Sequence, residues 1–491
     1  MQYHRNPARV GPRLSALPIL LLLVLMALVA GGVYVAGRML LAPRPSLTLG
    51  APFDLVGRNA ALVVDARDPA GLRSLKVTVG QGGQEQVVVD DTYDPPRREV
   101  RREWRPARET RFRLKEGPGT VRIEARNASW GNFFRGKTAT LEKTFTARLV
   151  PPRLEVLTTQ HYVNQGGCDM VVYRVTPAGA ESGVVAGRAR FKGFPLPGAR
   201  DPALHFAIFA YPYDAPAGTA VRLEARDEAT NEVVTSFNLK VFPRSFRSRT
   251  LPVEDAFLQK VVPEILSQTP TLQDQGELLK NFLQINRGLR AANNKALAEL
   301  AARSQPRFLW SEPFQQLSNS QVEASFADHR TYVYRGQEVD RQDHLGYDLA
   351  TTTHAPVSAA NDGVVLLAEF FGIYGNTIVI DHGYGLVSLY GHLAGFSVKA
   401  GDAVKRGQVI AQSDSTGLAG GDHLHYSMIL GGEQVDAREW WDPHWIEDRI
   451  QSKLRQFGSS ASAPPPAAAA TPAPAAAHRP AVHHPPARRR R

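Results

Sequence analysis

The chain has a single cysteine, Cys168, among 491 residues. One thiol cannot close an intrachain disulfide, and it excludes any cysteine-rich metal site. A metal bound here must therefore be held by imidazole and carboxylate. Charge is absent from Leu14 to Gly37, where the only breaks in an apolar run are Ser15 and Pro18. Acidic residues are outnumbered by basic ones, 47 to 58, which leaves a formal charge of +11. Arg5, Arg9 and Arg13 at one end and Arg488 to Arg491 at the other supply part of it. A basic excess suits polyanionic partners such as anionic lipid or cell-wall polymer. No nucleic-acid motif accompanies it, and no nucleic-acid partner is expected.

The apolar run is long enough to cross a bilayer, which takes ~20 residues. A cleaved signal peptide is the competing reading, but small residues at a cleavage position occur only near Ala30 to Gly32. The expectation is an uncleaved anchor over 14–37, with the basic segment 1–13 in the cytoplasm by the positive-inside rule. Arg38 and Arg44 weaken that asymmetry. The bulk of the chain then lies beyond the inner membrane, in the periplasm.

Residues 45–150 and 151–243 consist of short β-prone runs. Ala61 to Ala66 and Ser74 to Val79 are separated by the turn residues Asp68-Pro69-Ala70-Gly71. Val121-Arg122-Ile123-Glu124-Ala125-Arg126 returns one hundred positions later as Val221-Arg222-Leu223-Glu224-Ala225-Arg226. That period is the size of one β-sandwich, so two tandem sandwiches similar to immunoglobulin-like modules are expected. They serve as spacers or as the surface for an envelope protein partner. Residues 253–303 switch to helical spacing, with Phe257, Val261 and Ile265, then Leu278, Leu279, Phe282, Leu283, Ile285 and Leu289. This reads as a helical connector, either a strut or a lid. Residues 305–450 return to short strands between Gly and Asp turns, and an antiparallel β domain is expected. The tail 459–491, rich in Pro and Ala with an Arg terminus, cannot bury enough apolar surface to fold.

The last β domain carries the chemistry. His344 and Asp348 are four apart, His392 ends a predicted strand, and His423 and His425 are two apart. Residues two apart on a strand share a face, so His423 and His425 point into one site while Leu424 and Tyr426 pack the other way. Two imidazoles and one carboxylate that leave a fourth position for water are the ligand set of a catalytic zinc. The metal lowers the pKa of that water, so a nucleophile exists at neutral pH.

The series His344-x-x-x-Asp348, Tyr390-Gly391-His392-Leu393 and His423-Leu424-His425 resembles the signature of the LytM/lysostaphin-type zinc metallopeptidases. The segments around Ala355 to Val365, Tyr374 to Gly383 and Val398 to Gln408 resemble the same family. The likeness spans about residues 308–445. It implies an antiparallel β metallopeptidase domain of the duplicated-hybrid-motif type. It also implies Zn2+ held by His344, Asp348 and His425, with His392 and His423 as catalytic residues beside it. The implied reaction is hydrolysis of peptide bonds in the stems or crosslinks of peptidoglycan. Asn376, Tyr384 and Tyr390 are weak candidates to line the cleft, with core packing favoured for the two tyrosines. The sequence departs from the family at Asp422, at Ser427 and in the turn Ser413 to Gly417. The rival function is a silent regulator of the same type that activates a cell-wall amidase or binds a morphogenetic partner. A biotinyl-carrier-like half-barrel also has a Gly-Asp turn, as at Gly401-Asp402, but does not need the histidines.

Overall fold

The computed structural model describes residues 16–50, 53–105 and 114–458. The basic segment 1–13 and the tail 459–491 lie outside the described residues. The architecture is mainly β, with one apolar helix ahead of it. That helix, α1, runs Ala16–Leu40 and so includes Arg38. From Leu17 to Leu40 it is long and apolar enough to cross a membrane, with a mean hydropathy of 2.7 over its most apolar 18 residues.

The first β unit is one six-stranded sheet bent over its own core. Its longest strands, Leu62–Gln81 and Gln84–Trp104, pair along most of their length. The expected turn at Asp68-Gly71 does not reverse the chain. Its turn chemistry is present, since Asp68 accepts from the Ala70 N–H at 2.8 Å. The register instead jumps between Arg67 and Leu72, so the extra residues bulge out of a continuing strand. The second unit has two four-stranded sheets, one around Cys168–Thr176 and Leu204–Ala210, the other around Glu181–Ala186 and Val221–Arg226.

A strand at Ser248–Val253 then pairs in parallel with Asp328–Tyr334, which pairs with Gln337–His344. Between them lie helices α2 (Asp255–Gln268), α3 (Leu278–Gln284) and α4 (Arg290–Ala301). Pro263 sits inside α2 and does not end it. The site is built on an antiparallel eight-stranded sheet whose centre runs Tyr347–Ala350, Leu424–Leu430, Leu386–Leu393, Asn376–Gly383, Gly363–Phe370.

Side chains alternate across a strand, and both faces of this sheet are covered. Val379, Val387, Leu389 and Ile429 pack on one face, in one core with Leu258, Ile265, Phe282 and Ile285 of the helical segment. Ile378, Ile380, Tyr390, Tyr426 and Met428 pack on the other, in one continuous core with the second β unit. At that seam Phe206 lies 5.7 Å from Phe308 and 4.9 Å from Tyr384, and Tyr384 lies 4.8 Å from Phe194. Aromatic pairs of this kind contribute about 0.5–1.5 kcal/mol each beyond their buried area. Polar ties reinforce it. Buried Glu439 accepts from Asn164 Nδ2 and from the Cys168 N–H, and Lys453 donates to Asp169. The second β unit is thus no free spacer. Its buried residues share one core with one face of the site-bearing strands.

Candidate metal centre

His344 closes one strand and Asp348 opens into the next, joined by Leu345-Gly346. Asp348 lies directly across from His425 in the sheet, and Gly391 flanks His425 on the other side. His423 and His425 share the face that looks toward the helical segment, while Leu424 and Tyr426 belong to the opposite core. Three atoms converge. His344 Nε2 is 2.9 Å from Asp348 Oδ1 and 3.1 Å from His425 Nδ1, which is 3.0 Å from the same Oδ1. All three side chains are largely buried.

The neighbours decide where the protons are. His344 Nδ1 donates to the Ser325 carbonyl at 3.0 Å, which in the neutral ring leaves the lone pair on Nε2. The Ser427 hydroxyl donates to the Leu345 carbonyl at 2.7 Å. It therefore accepts from His425 Nε2–H at 2.9 Å, which leaves the lone pair on Nδ1. With both rings neutral, two imidazole lone pairs and a carboxylate oxygen face one another. A cation satisfies that arrangement, and the outer hydrogen bonds are the kind that orient metal ligands. The group is able to hold one metal ion.

Gly346 makes this packing feasible. A Cβ there would lie 2.6 Å from the His425 ring and 2.5 Å from Ser427 Oγ. Arg330 Nη2 donates to the second Asp348 oxygen at 2.8 Å. Burial would raise the Asp348 carboxyl, but His344, His423 and His425 outweigh it and hold it well below the usual carboxylate range. Burial lowers His425 to about 4.

The two remaining histidines stand beside the triad. His392 has a left-handed backbone (φ +59°), and its Nδ1 donates to the Thr416 carbonyl at 2.7 Å. Burial, then the neighbouring imidazoles, hold it well below its ordinary value. His423 donates from Nδ1 to the Gly421 carbonyl, and its Nε2 is 3.4 Å from Asp348 Oδ1. Burial lowers His423, but the hydrogen bond to Asp348 and its charge raise it more.

A cavity of about 380 Å³ opens over these residues. Its other wall is Leu251 to Glu254 and Phe257, with Arg290, Arg330, Tyr332 and Tyr374. The cleft-lining candidates lie elsewhere. Tyr384 packs in the seam with Phe194 and Phe308. Tyr390 is buried, and its hydroxyl accepts from the Ala360 N–H. Asn376 donates to the Leu393 carbonyl. All three fall outside because strand alternation and turn geometry turn them into the core or a loop brace. Arg330, Tyr332 and Tyr374 line the cleft instead. Ser427 had a visible signal, since it stands two after His425 on the same face; Arg330 had none.

Residues 342–437 match the profile of Peptidase family M23. This part of the chain is an M23 peptidase domain. The match falls on the residues that carry the LytM/lysostaphin resemblance. The chain is 42% identical over 94 residues to the peptidoglycan DD-endopeptidase ShyA of Vibrio cholerae, covering 19% of this chain and 22% of that protein. It is 37% identical over 117 residues to ShyB of the same organism, covering 24% and 27%. It is 41% identical over 93 residues to the DD-carboxypeptidase/endopeptidase Mpg of Neisseria meningitidis, covering 19% and 21%. The aligned stretches thus span about a quarter or less of each relative's length. Among solved structures, the lysostaphin catalytic domain of Staphylococcus simulans is 24% identical with a TM-score of 0.20, covering 29% of this chain and 96% of that one.

Proposed function

We propose that this chain is a membrane-anchored zinc endopeptidase that hydrolyses peptide bonds in the stems or crosslinks of peptidoglycan, with α1 in the inner membrane and the M23 domain in the periplasm. The observation that carries the reading is the inward-facing set of His344 Nε2, His425 Nδ1 and Asp348 Oδ1, 2.9–3.1 Å apart. Ligands at ~2.0–2.1 Å around a tetrahedral zinc lie about 3.3 Å from one another, close to these separations. Relatives named as peptidoglycan DD-endopeptidases support the substrate class.

His344, Asp348 and His425 would hold the zinc, which would supply Lewis acidity toward the scissile carbonyl. The chain's own residues do the rest. His392, with Nδ1–H committed to Thr416, keeps Nε2 free to take the proton of the attacking water. His423, whose proton is favoured by Asp348, donates toward the oxygen on which charge develops. Arg330 fixes the carboxylate from behind.

The test is digestion of purified sacculi by the wild type and by His344→Ala, with metal content measured on both. Soluble peptide-linked products from the wild type alone, with zinc lost in the variant, support the reading. A wild type that binds zinc yet releases nothing in either form sinks it in favour of a non-hydrolytic regulator.

A further inference from the structure

We propose that the loop Ser129 to Lys137 of the first β unit is a second membrane contact, dipping its aromatic tip into the outer face of the bilayer that α1 crosses. The inference rests on α1 spanning the membrane.

The loop is built against the end of that helix. Trp130 meets Tyr34 of α1 edge to face at 6.0 Å, and the Arg38 guanidinium lies 5.5 Å over the Trp130 ring. Lys137 Nζ donates to the Leu40 carbonyl at the helix C-terminus, where a cation also complements the helix dipole. Asn127 ties loop to helix exit. Its Oδ1 accepts from the Lys137 N–H and the Ser129 hydroxyl, and its Nδ2 donates to the Pro43 carbonyl.

The tip is rigid and apolar. Asn132, Phe133 and Phe134 all have positive φ, 49°, 52° and 67°. Three consecutive left-handed residues are costly without glycine. They are held by hydrogen bonds from the Phe134 N–H to the Trp130 carbonyl and from the Gly136 N–H to the Gly131 carbonyl. The result drives two phenylalanines outward, exposed by 81% and 56%, with Trp130 exposed by 37%. Adjacent exposed aromatics on such a braced turn mark a contact surface.

Lipid is the occupant that fits. Tyr34 lies six residues from Leu40, so the loop meets α1 in its last ~9 Å. That is the depth at which amphipathic rings sit in a bilayer. The charges on the loop and the helix end, Arg38, Arg135 and Lys137, are positive and match anionic headgroups, while the nearby Asp68 is buried and bonded to Asn127 Nδ2. The contact would seat the first β unit against the membrane surface and fix the direction in which the rest of the chain leaves it.

The full chain is reconstituted into vesicles of phosphatidylcholine and phosphatidylglycerol, three to one. An environment-sensitive fluorophore is placed through Phe134→Cys, through Gly82→Cys at the opposite end of the same sheet, and through Val29→Cys inside α1. The native Cys168 is buried and stays unlabelled. Lipids brominated near the headgroup should quench the label at 134 at least about twofold more than the label at 82, and iodide should quench it less. Equal quenching at 134 and 82 overturns the proposal while a lipid-quenched label at 29 keeps the anchor. Shielding of 134 from iodide without lipid quenching also overturns it, in favour of a protein contact. A label at 29 that lipid does not quench removes the anchor and the proposal together.

Discussion

Arg330 Nη2 donates to Asp348 Oδ2 at 2.8 Å, so the carboxylate that faces the two imidazoles is gripped from its other side by a largely buried guanidinium. Removing that grip leaves a buried carboxylate oxygen without its partner. Arg330→Met should weaken metal binding about 10–100-fold, the usual cost of losing an outer-shell partner. Competition with a chelator of known affinity checks it. Arg330→Lys, with one point charge in place of a fork, should fall between.

Ser427→Ala removes the hydroxyl that accepts from His425 Nε2 and donates to Leu345. Either ring nitrogen of His425 can then carry the proton, and the form with hydrogen on Nδ1 cannot ligate. Metal affinity should again drop by about 10–100-fold with the thermal midpoint of the metal-free protein little changed. Unaltered affinity would show that the ring is oriented by packing alone.

Gly346→Ala tests close approach. Glycine is needed here for space, because its added carbon meets the His425 ring at 2.6 Å. The ring must move, so metal content should fall sharply while far-ultraviolet circular dichroism stays that of a folded β protein. A variant that retains stoichiometric metal would place the flexibility elsewhere in the site.

Glu439 gives a pH signature. Burial raises its carboxyl from 4.5 to about 7, against the pull of Asn164 and the Cys168 N–H. A folded pKa above the unfolded one means that the folded state holds the proton more tightly. The stabilisation is complete below about 4.5 and is lost as pH rises through about 7. By linkage it amounts to about 3 kcal/mol across that window. The seam between the second β unit and the M23 domain should therefore loosen from pH 5.5 to pH 8. The thermal midpoint of Glu439→Gln should change less over the same range than that of the wild type. Parallel curves for the two proteins would contradict this.

Part of the metal centre was legible from local spacing, and the joining of its two halves, His344 and His425 being 81 positions apart, only from the family resemblance. A spacing of two on a strand puts His423 and His425 on one face, and a short glycine link brings Asp348 back beside His344. The proton bookkeeping was not legible, since it depends on the carbonyls of Ser325 and Thr416, which any residue supplies. Tyr384 and Tyr390 are buried, the packing role favoured for both, because each turns to the face away from the cleft. The bulge at Asp68-Gly71 was hidden. Turn residues fix local backbone geometry, and only the pairing of both flanks with Gln84–Trp104 keeps the strand running through it. Alternation set Leu424 and Tyr426 opposite His423 and His425, but did not show that the helical segment packs on one face of the sheet and that the other shares a core with the second β unit.

That shared interior changes what counts as a separable enzyme. A fragment cut at residue 305 would leave Phe308 and Tyr384 without Phe194 and Phe206, and Glu439 without Asn164 and the Cys168 N–H. It would also take away the Ser248–Val253 strand that flanks the His344 hairpin. The family's borders in sequence, 342–437, and the borders of this buried interior, which takes in residues from Cys168 onward, are different lines.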